Sequence, residues 1–178
     1  VPRCRRLQWM LEEGKRRETA LLRGFGDVDS SVYVALSAAV RRRNKENSVS
    51  SVFVVAGTHF RWEYGDRWGQ AAAGKPLQAL AAVRHLMQHA VDAGAVGWAL
   101  AGDINSPPTG AAYELLSTGR LSADHVELYS RVDGDLVLPD ARPLRSAFKL
   151  IHGREPLFTR KKDSVSSQYC LDYIFIGG

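Results

Sequence analysis

Four polar residues stand where the apolar pattern of this chain predicts burial: Asp103, Asn105, His59 and Asp172. Asp103 and Asn105 lie two apart in Gly102-Asp-Ile-Asn-Ser106, directly after the apolar run Trp98–Ala101. An extended backbone alternates its side chains, so this spacing predicts that both face one way while Ile104 points into the core. A carboxylate placed there can hold a metal or a water, and a carboxamide can donate to a phosphate oxygen. The same pair suits an Asx-rich turn whose side chains only satisfy backbone amides, and the stretch by itself leaves both readings open. His59 ends a second apolar run, Val52–Ala56 followed by Gly57-Thr58. It reads either as a catalyst or as a hydrogen-bonded structural histidine. Asp172 sits inside Cys170-Leu-Asp-Tyr-Ile-Phe-Ile176. A carboxylate buried in such a run must be paired or hydrogen-bonded to avoid a desolvation cost on the order of several kcal/mol.

The elements that must carry these residues follow from periodicity. Residues 31–40 alternate, with Val32, Val34, Leu36, Ala38 and Val40 on one face, and predict a half-buried strand. A polar connection joins it to the more apolar strand Val52–Ala56, predicting two antiparallel neighbours. After a glycine-rich loop, Pro76 opens a helix marked by Leu77, Leu80, Val83, Met87 and Val91, and Gly94 closes it. His85 and His89 are four apart on this helix and could clip a metal; with no third ligand nearby in sequence they read as a solvated helix face. Trp98–Ala101 is the next strand, Pro107-Pro-Thr-Gly110 stops it, and Ala111–Leu116 starts a helix. Leu144–Phe148 is ambiguous, Glu155-Pro-Leu-Phe-Thr159 is extended, and Cys170–Ile176 is a strand. Residues 6–23 have near-helical spacing and many charges, so residues 1–27 read as a peripheral helix or insertion.

The 178 residues, 45% of them hydrophobic and four of them Trp, suit one domain with a real core. No run is long or apolar enough to span a bilayer, and no signal peptide is legible behind Val1-Pro-Arg-Cys-Arg-Arg6. The chain does not begin with Met, which suits a fragment or a processed product. Two cysteines, Cys4 and Cys170, lie in no metal-ligand spacing and favour a reducing, intracellular compartment. The net charge of +5, with basic clusters at 3–6, 15–17, 41–43 and 160–162, suits a polyanionic partner such as RNA. Solvated loops and helix faces account for such clusters equally well.

Taken in order, Thr58-His59, Gly102-Asp-Ile-Asn-Ser106 and Leu171-Asp-Tyr-Ile174 resemble the motif set of the endonuclease/exonuclease/phosphatase superfamily. Thr58-His-Phe-Arg-Trp62, Tyr113-Glu-Leu-Leu116, Ser122-Ala-Asp-His125, Leu144-Arg-Ser-Ala-Phe148 and Glu155-Pro-Leu-Phe-Thr159 resemble its deadenylase branch, with nocturnin-, Angel- and 2′-phosphodiesterase-like members. Val83-Arg-His85 and Cys170–Ile176 look most like the 2′-phosphodiesterase subgroup. The resemblance covers residues 28–178, and it implies that 1–178 form the C-terminal part of one such domain. The implied fold is α+β, a two-layer β-sandwich flanked by helices, with the site where strand ends meet. The implied activity is Mg²⁺-dependent hydrolysis (Mn²⁺ as an alternative) of poly(A) or 2′,5′-oligoadenylate by an in-line water. By the same resemblance Asp103 orients the water and touches the metal, and Asn105 binds phosphate or metal. His59 steadies phosphate charge, Asp172 pairs with a histidine, and Trp62 contacts substrate. Position 57 is Gly where the family has Asn. The family's metal-binding Glu in a Gln-Glu pair and its Ser-Asp-His motif are not among these residues. The competing reading is a catalytically silent relative that binds RNA or a protein.

Overall fold

A computed structural model of the chain describes residues 35–41, 51–60, 74–128, 134–161 and 168–178. Residues 1–27, Trp62 and the glycine-rich loop around Gly65 and Gly69 lie outside them. The elements run β1 (Ala35–Arg41), β2 (Val52–His59), α1 (Gly74–Asp92), β3 (Gly97–Asp103), α2 (Ala111–Thr118), β4 (Arg120–Leu121) and β5 (Leu136–Val137). After a 3₁₀ turn at Pro139–Ala141 come β6 (Arg145–Ser146), α3 (Ala147–His152), β7 (Arg160–Lys161), β8 (Gln168–Tyr169) and β9 (Asp172–Gly177). The main sheet has five strands in the order β1-β2-β3-β9-β6. β1 runs antiparallel to β2, as the polar connection between them predicts. β2 and β3 are parallel, joined through α1, and β9 lies antiparallel to both β3 and β6.

Alternation along each strand splits the sheet into two unlike faces. Val54, Ala56, Leu100, Tyr173 and Phe175 point to the side covered by helices and are buried. Leu80, Val83, Leu86 and Ala90 of α1 and Leu115 and Leu116 of α2 complete that core. Tyr113 of α2 packs its ring at 5.2 Å from Tyr173 and 5.7 Å from Phe175, an aromatic seam between helix and sheet. The opposite face carries Val40, Phe53, Val55 and Ile174, all more than two-fifths exposed. The fold is thus a mixed sheet with flanking helices. Two expectations change with this. The apolar set of β1 was expected to be its buried side, yet Ala38 and Val40 pair with Val55 and Phe53 on the open face. Val91, expected on the core side of α1, is 74% exposed, and Ala90 takes the core side of that turn instead. No helix among the described residues is long and apolar enough to cross a membrane.

Helix boundaries follow local chemistry. Pro76 sits in the first turn of α1, and Gly94 takes φ 59° just past its end. Ser146 caps α3 by accepting from the Lys149 amide at 3.3 Å. Gly102 is a different case. Its φ is 144°, and a Cβ at that position would lie 1.8 Å from the Thr58 carbonyl oxygen of the neighbouring strand. Only a residue without a side chain lets β2 and β3 stay in register up to their ends.

Gly102→Ala is therefore expected to lower unfolding stability by about 3 kcal/mol or more, combining backbone strain with a backbone clash. Urea denaturation followed by tryptophan fluorescence checks this; a midpoint within error of the parent would show that the strand ends are not held as described.

Candidate active site

Register alone assembles the site. His59 pairs with Asp103 across β2 and β3, and Asp103 pairs with Asp172 across β3 and β9. Paired residues share a face, so His59, Asp103 and Asp172 form one polar row on the open face. The row stands at the C-terminal ends of the parallel strands, where α/β sheets place their ligands. Backbone bonds seal this end: Phe60 N–H donates to the Asp103 carbonyl at 2.8 Å, and Ile104 N–H to that of Leu171 at 2.9 Å.

Within the row, His59 Nε2 lies 3.8 Å from Asp103 Oδ2, with side chains 72% and 24% exposed. The other Asp103 oxygen, Oδ1, accepts from the Asn105 amide at 2.8 Å. That is an Asx turn, so the turn reading and the polar-row reading are both present in one residue. Burial is the main cause that raises the Asp103 pKa above its usual 3.8. The Asn105 amide opposes this; Asp172 adds to it by like charge, while His59 and Arg160 pull it back down.

Asn105 does not continue the strand. Its φ is 48°, and its side chain turns inward to 2% exposure instead of standing beside Asp103. The carboxamide nitrogen donates to the Phe60 carbonyl at 2.5 Å, which fixes the amide's orientation. Among the described residues, its Oδ1 is left buried with no hydrogen-bond partner, as is Ser106 Oγ. The unpaired atom of Asn105 is an acceptor, so the site answers a cation or a donor there rather than a phosphate oxygen. Lys75, in the first turn of α1, donates to the Asn105 carbonyl at 3.0 Å and braces this left-handed residue. Tyr173 reaches the carbonyls of Ser106 at 3.0 Å and Cys170 at 2.7 Å, tying the loop to β9.

Asp172 is exposed, not buried. The alternation Asp172, Tyr173, Ile174, Phe175 holds as expected, but Asp172 falls on the open face, so the expected desolvation cost does not arise. Thr159 donates to Asp172 Oδ2 at 2.6 Å, and its oxygen accepts from the Leu171 and Asp172 amides at 3.0 and 3.1 Å. Thr159 is thus the clamp of this carboxylate. Lys75 and Thr159 escape sequence reasoning: Lys75 carries no motif signal, while Thr159 closes the extended segment Glu155–Thr159. Glu155, in the same segment, accepts from Tyr113 at 2.6 Å and Ser146 at 3.0 Å and anchors it to the helix layer.

No group of three or more His, Cys, Asp or Glu side chains fit to hold a metal ion occurs among the described residues. Mg²⁺ needs less: it is commonly held by one or two carboxylates with water and phosphate oxygens completing the shell. Asp103, paired across the strands with the Asp172 carboxylate, and the buried Asn105 oxygen are of the kinds that fit that donor chemistry.

No family model and no curated protein matches the chain. Among solved structures it is similar to the human nocturnin catalytic domain with bound sulfate anion, at 21% identity and TM-score 0.49, over 80% of this chain and 41% of that one. It is similar to ANGEL2, a 2′,3′-cyclic phosphatase, at 16% identity and TM-score 0.49, over 83% of this chain and 56% of that one. It also matches an endonuclease/exonuclease/phosphatase family protein from Bacteroides thetaiotaomicron at 10% identity and TM-score 0.34, over 81% and 51%. The chain spans about half the length of the solved structures it matches.

The raised Asp103 pKa has a thermodynamic consequence. The folded state binds this proton more tightly than the unfolded state, so the group's contribution is fully present below pH 3.8 and is lost as pH rises through the folded pKa. Asp103→Asn keeps an oxygen for the Asn105 amide and removes that cost. The variant's stability advantage is expected to widen from below pH 3.8 to neutral pH, read as denaturation midpoints. An advantage that does not change with pH would contradict the burial of this carboxylate.

Proposed function

We propose that this chain carries part of the active site of a Mg²⁺-dependent phosphodiesterase, an exoribonuclease-type hydrolase acting on poly(A) or 2′,5′-oligoadenylate. The observation that carries the proposal is the polar row His59, Asp103 and Asp172 on three adjacent strands, with Asn105 locked behind it. Asp103 is the group that orients and deprotonates the attacking water. Burial makes it a better proton acceptor than a surface carboxylate, and the Asn105 amide holds one of its oxygens while the other lies toward His59. His59, largely exposed beside it, offsets charge on the pentacoordinate phosphate when protonated. Asp172, held by Thr159, keeps a second carboxylate in the row. Arg160 adds positive charge near Asp103 on the side where phosphate would arrive.

Asp103 and the Asn105 oxygen would hold Mg²⁺, with Mn²⁺ accepted by the same ligands. The ion would supply Lewis-acid polarisation of the phosphate. Trp62 and Tyr169 would stack bases, and the basic residues around Arg160 and Lys161 would contact phosphates. The motif resemblance also calls for a Gln-Glu pair and a Ser-Asp-His motif, neither of which occurs in these 178 residues. Gly57, where the resemblance calls for Asn, favours the second reading, a catalytically silent relative that binds RNA or a protein.

The two readings separate by experiment. The 178 residues alone are expected to cleave poly(A) and 2′,5′-oligoadenylate poorly, roughly 10²–10³-fold or more below a longer form carrying both missing motifs. Asp103→Asn should abolish the longer form's Mg²⁺-dependent cleavage. Equal rates for the two forms would refute the assignment of the missing groups. An inert longer form with only salt-sensitive RNA binding would establish the silent reading.

A further inference from the structure

A second polar cluster lies away from the row, at the edge of the sheet. Ser37 of β1 pairs with buried Ala56 and so faces the helix layer, under α1. There its hydroxyl oxygen lies 3.0 Å from His85 Nε2 and 2.7 Å from His89 Nδ1. The two rings are one helical turn apart, with centroids at 6.5 Å and planes tilted by 54°. Both aim a nitrogen at one point. They are half-buried rather than solvated, and the third group that sequence spacing lacks comes from a strand some fifty residues earlier.

We infer that His85, His89 and Ser37 form a binding clip for a divalent transition metal such as Zn²⁺, Ni²⁺ or Cu²⁺. The valence count supports this. One hydroxyl has one proton, so in the neutral cluster one ring donates to Ser37 and the other accepts from it. A metal ion replaces that arrangement by taking a bare lone pair from each ring, at about 2.0–2.1 Å for Zn²⁺. The Ser37 oxygen then faces the ion and water completes the shell. Imidazole nitrogen suits Zn²⁺, Cu²⁺ and Ni²⁺, whereas Mg²⁺ takes oxygen, so the clip and the Asp103 site select different ions. β1 is the end strand of the described sheet. An ion there would staple β1 to α1, and binding to the folded state alone raises its stability.

The test uses thermal unfolding of the 178-residue protein with Zn²⁺, Ni²⁺ or Mg²⁺, and Cu²⁺ electron paramagnetic resonance. In Asp103→Asn, which lacks the proposed Mg²⁺ ligand, Zn²⁺ and Ni²⁺ should still raise Tm while Mg²⁺ does not, and the rise should vanish on acidification as protons compete for the rings. Cu²⁺ should show hyperfine coupling to two nitrogens. His85→Gln and His89→Gln should each weaken Zn²⁺ binding at least about tenfold, and Asp103→Asn should leave the Zn²⁺ response intact. A Zn²⁺ response absent from the parent, retained in the double variant, or lost in Asp103→Asn would overturn the clip. The Asp103→Asn arm also keeps this outcome independent of the proposed phosphodiesterase site.

Discussion

The end of β3 is the constraint on which the site depends. β3 is hydrogen-bonded on both sides, parallel to β2 and antiparallel to β9, and its last residue is Asp103. Side chains repeat every two residues along a strand, so a slip of one residue in either pairing would send Asp103 to the helix-covered face. It would also separate Asp103 from His59 or from Asp172. Three contacts hold the register at this point: the close approach of Gly102 to Thr58, the Phe60 amide on Asp103, and the Ile104 amide on Leu171. The loop beyond is then fixed residue by residue, with Lys75 on the Asn105 carbonyl and Tyr173 on that of Ser106.

Buried tyrosines give this scaffold fixed donors. Burial pushes both Tyr113 and Tyr173 well above the usual phenol range, so both keep their protons at any ordinary pH. Tyr113 therefore always donates to Glu155, and Tyr173 to the carbonyls beside the site. The polar row itself is the opposite kind of chemistry. Its carboxylates and histidine stand at the solvent edge, where charge can be moved. Invariant bonds behind and adjustable charge in front are what a preorganised electrostatic site requires.

Much of this was legible in the sequence, because it depends on period and on strand ends. Two apolar runs finishing at His59 and Asp103, and a third containing Asp172, suffice to bring those three together once the strands are neighbours. What escaped has definite physical causes. Alternation divides a strand into two faces but does not say which one is covered: Phe53 and Val55 are as apolar as Val54 and Ala56, yet they lie in the open. The burial expected of Asp172 failed for that reason. Asn105 failed for another. The alternation was carried one residue too far, although Asn-Ser-Pro-Pro is turn chemistry and the backbone leaves the strand there. The bonds of Lys75 and Thr159 join distant segments and have no local signature.

The place of β9 in the sheet also orders how the molecule comes into being. It is the last of the described strands, yet it sits between β3 and β6, and among the described residues β6 pairs in the main sheet only with it. Until β9 inserts, β3 has a bare edge and Asp103 lacks its Asp172 neighbour. His59 and Asp172 are about 110 residues apart, so closing the row is a contact of long range. Such closures pay their chain entropy before any contact rewards it, and they are slow. On the ribosome, β1, β2, α1 and β3 can assemble as they emerge, while the charged row waits for β9. The row of His59, Asp103 and Asp172 is thus assembled only after the rest of β3's neighbourhood has formed.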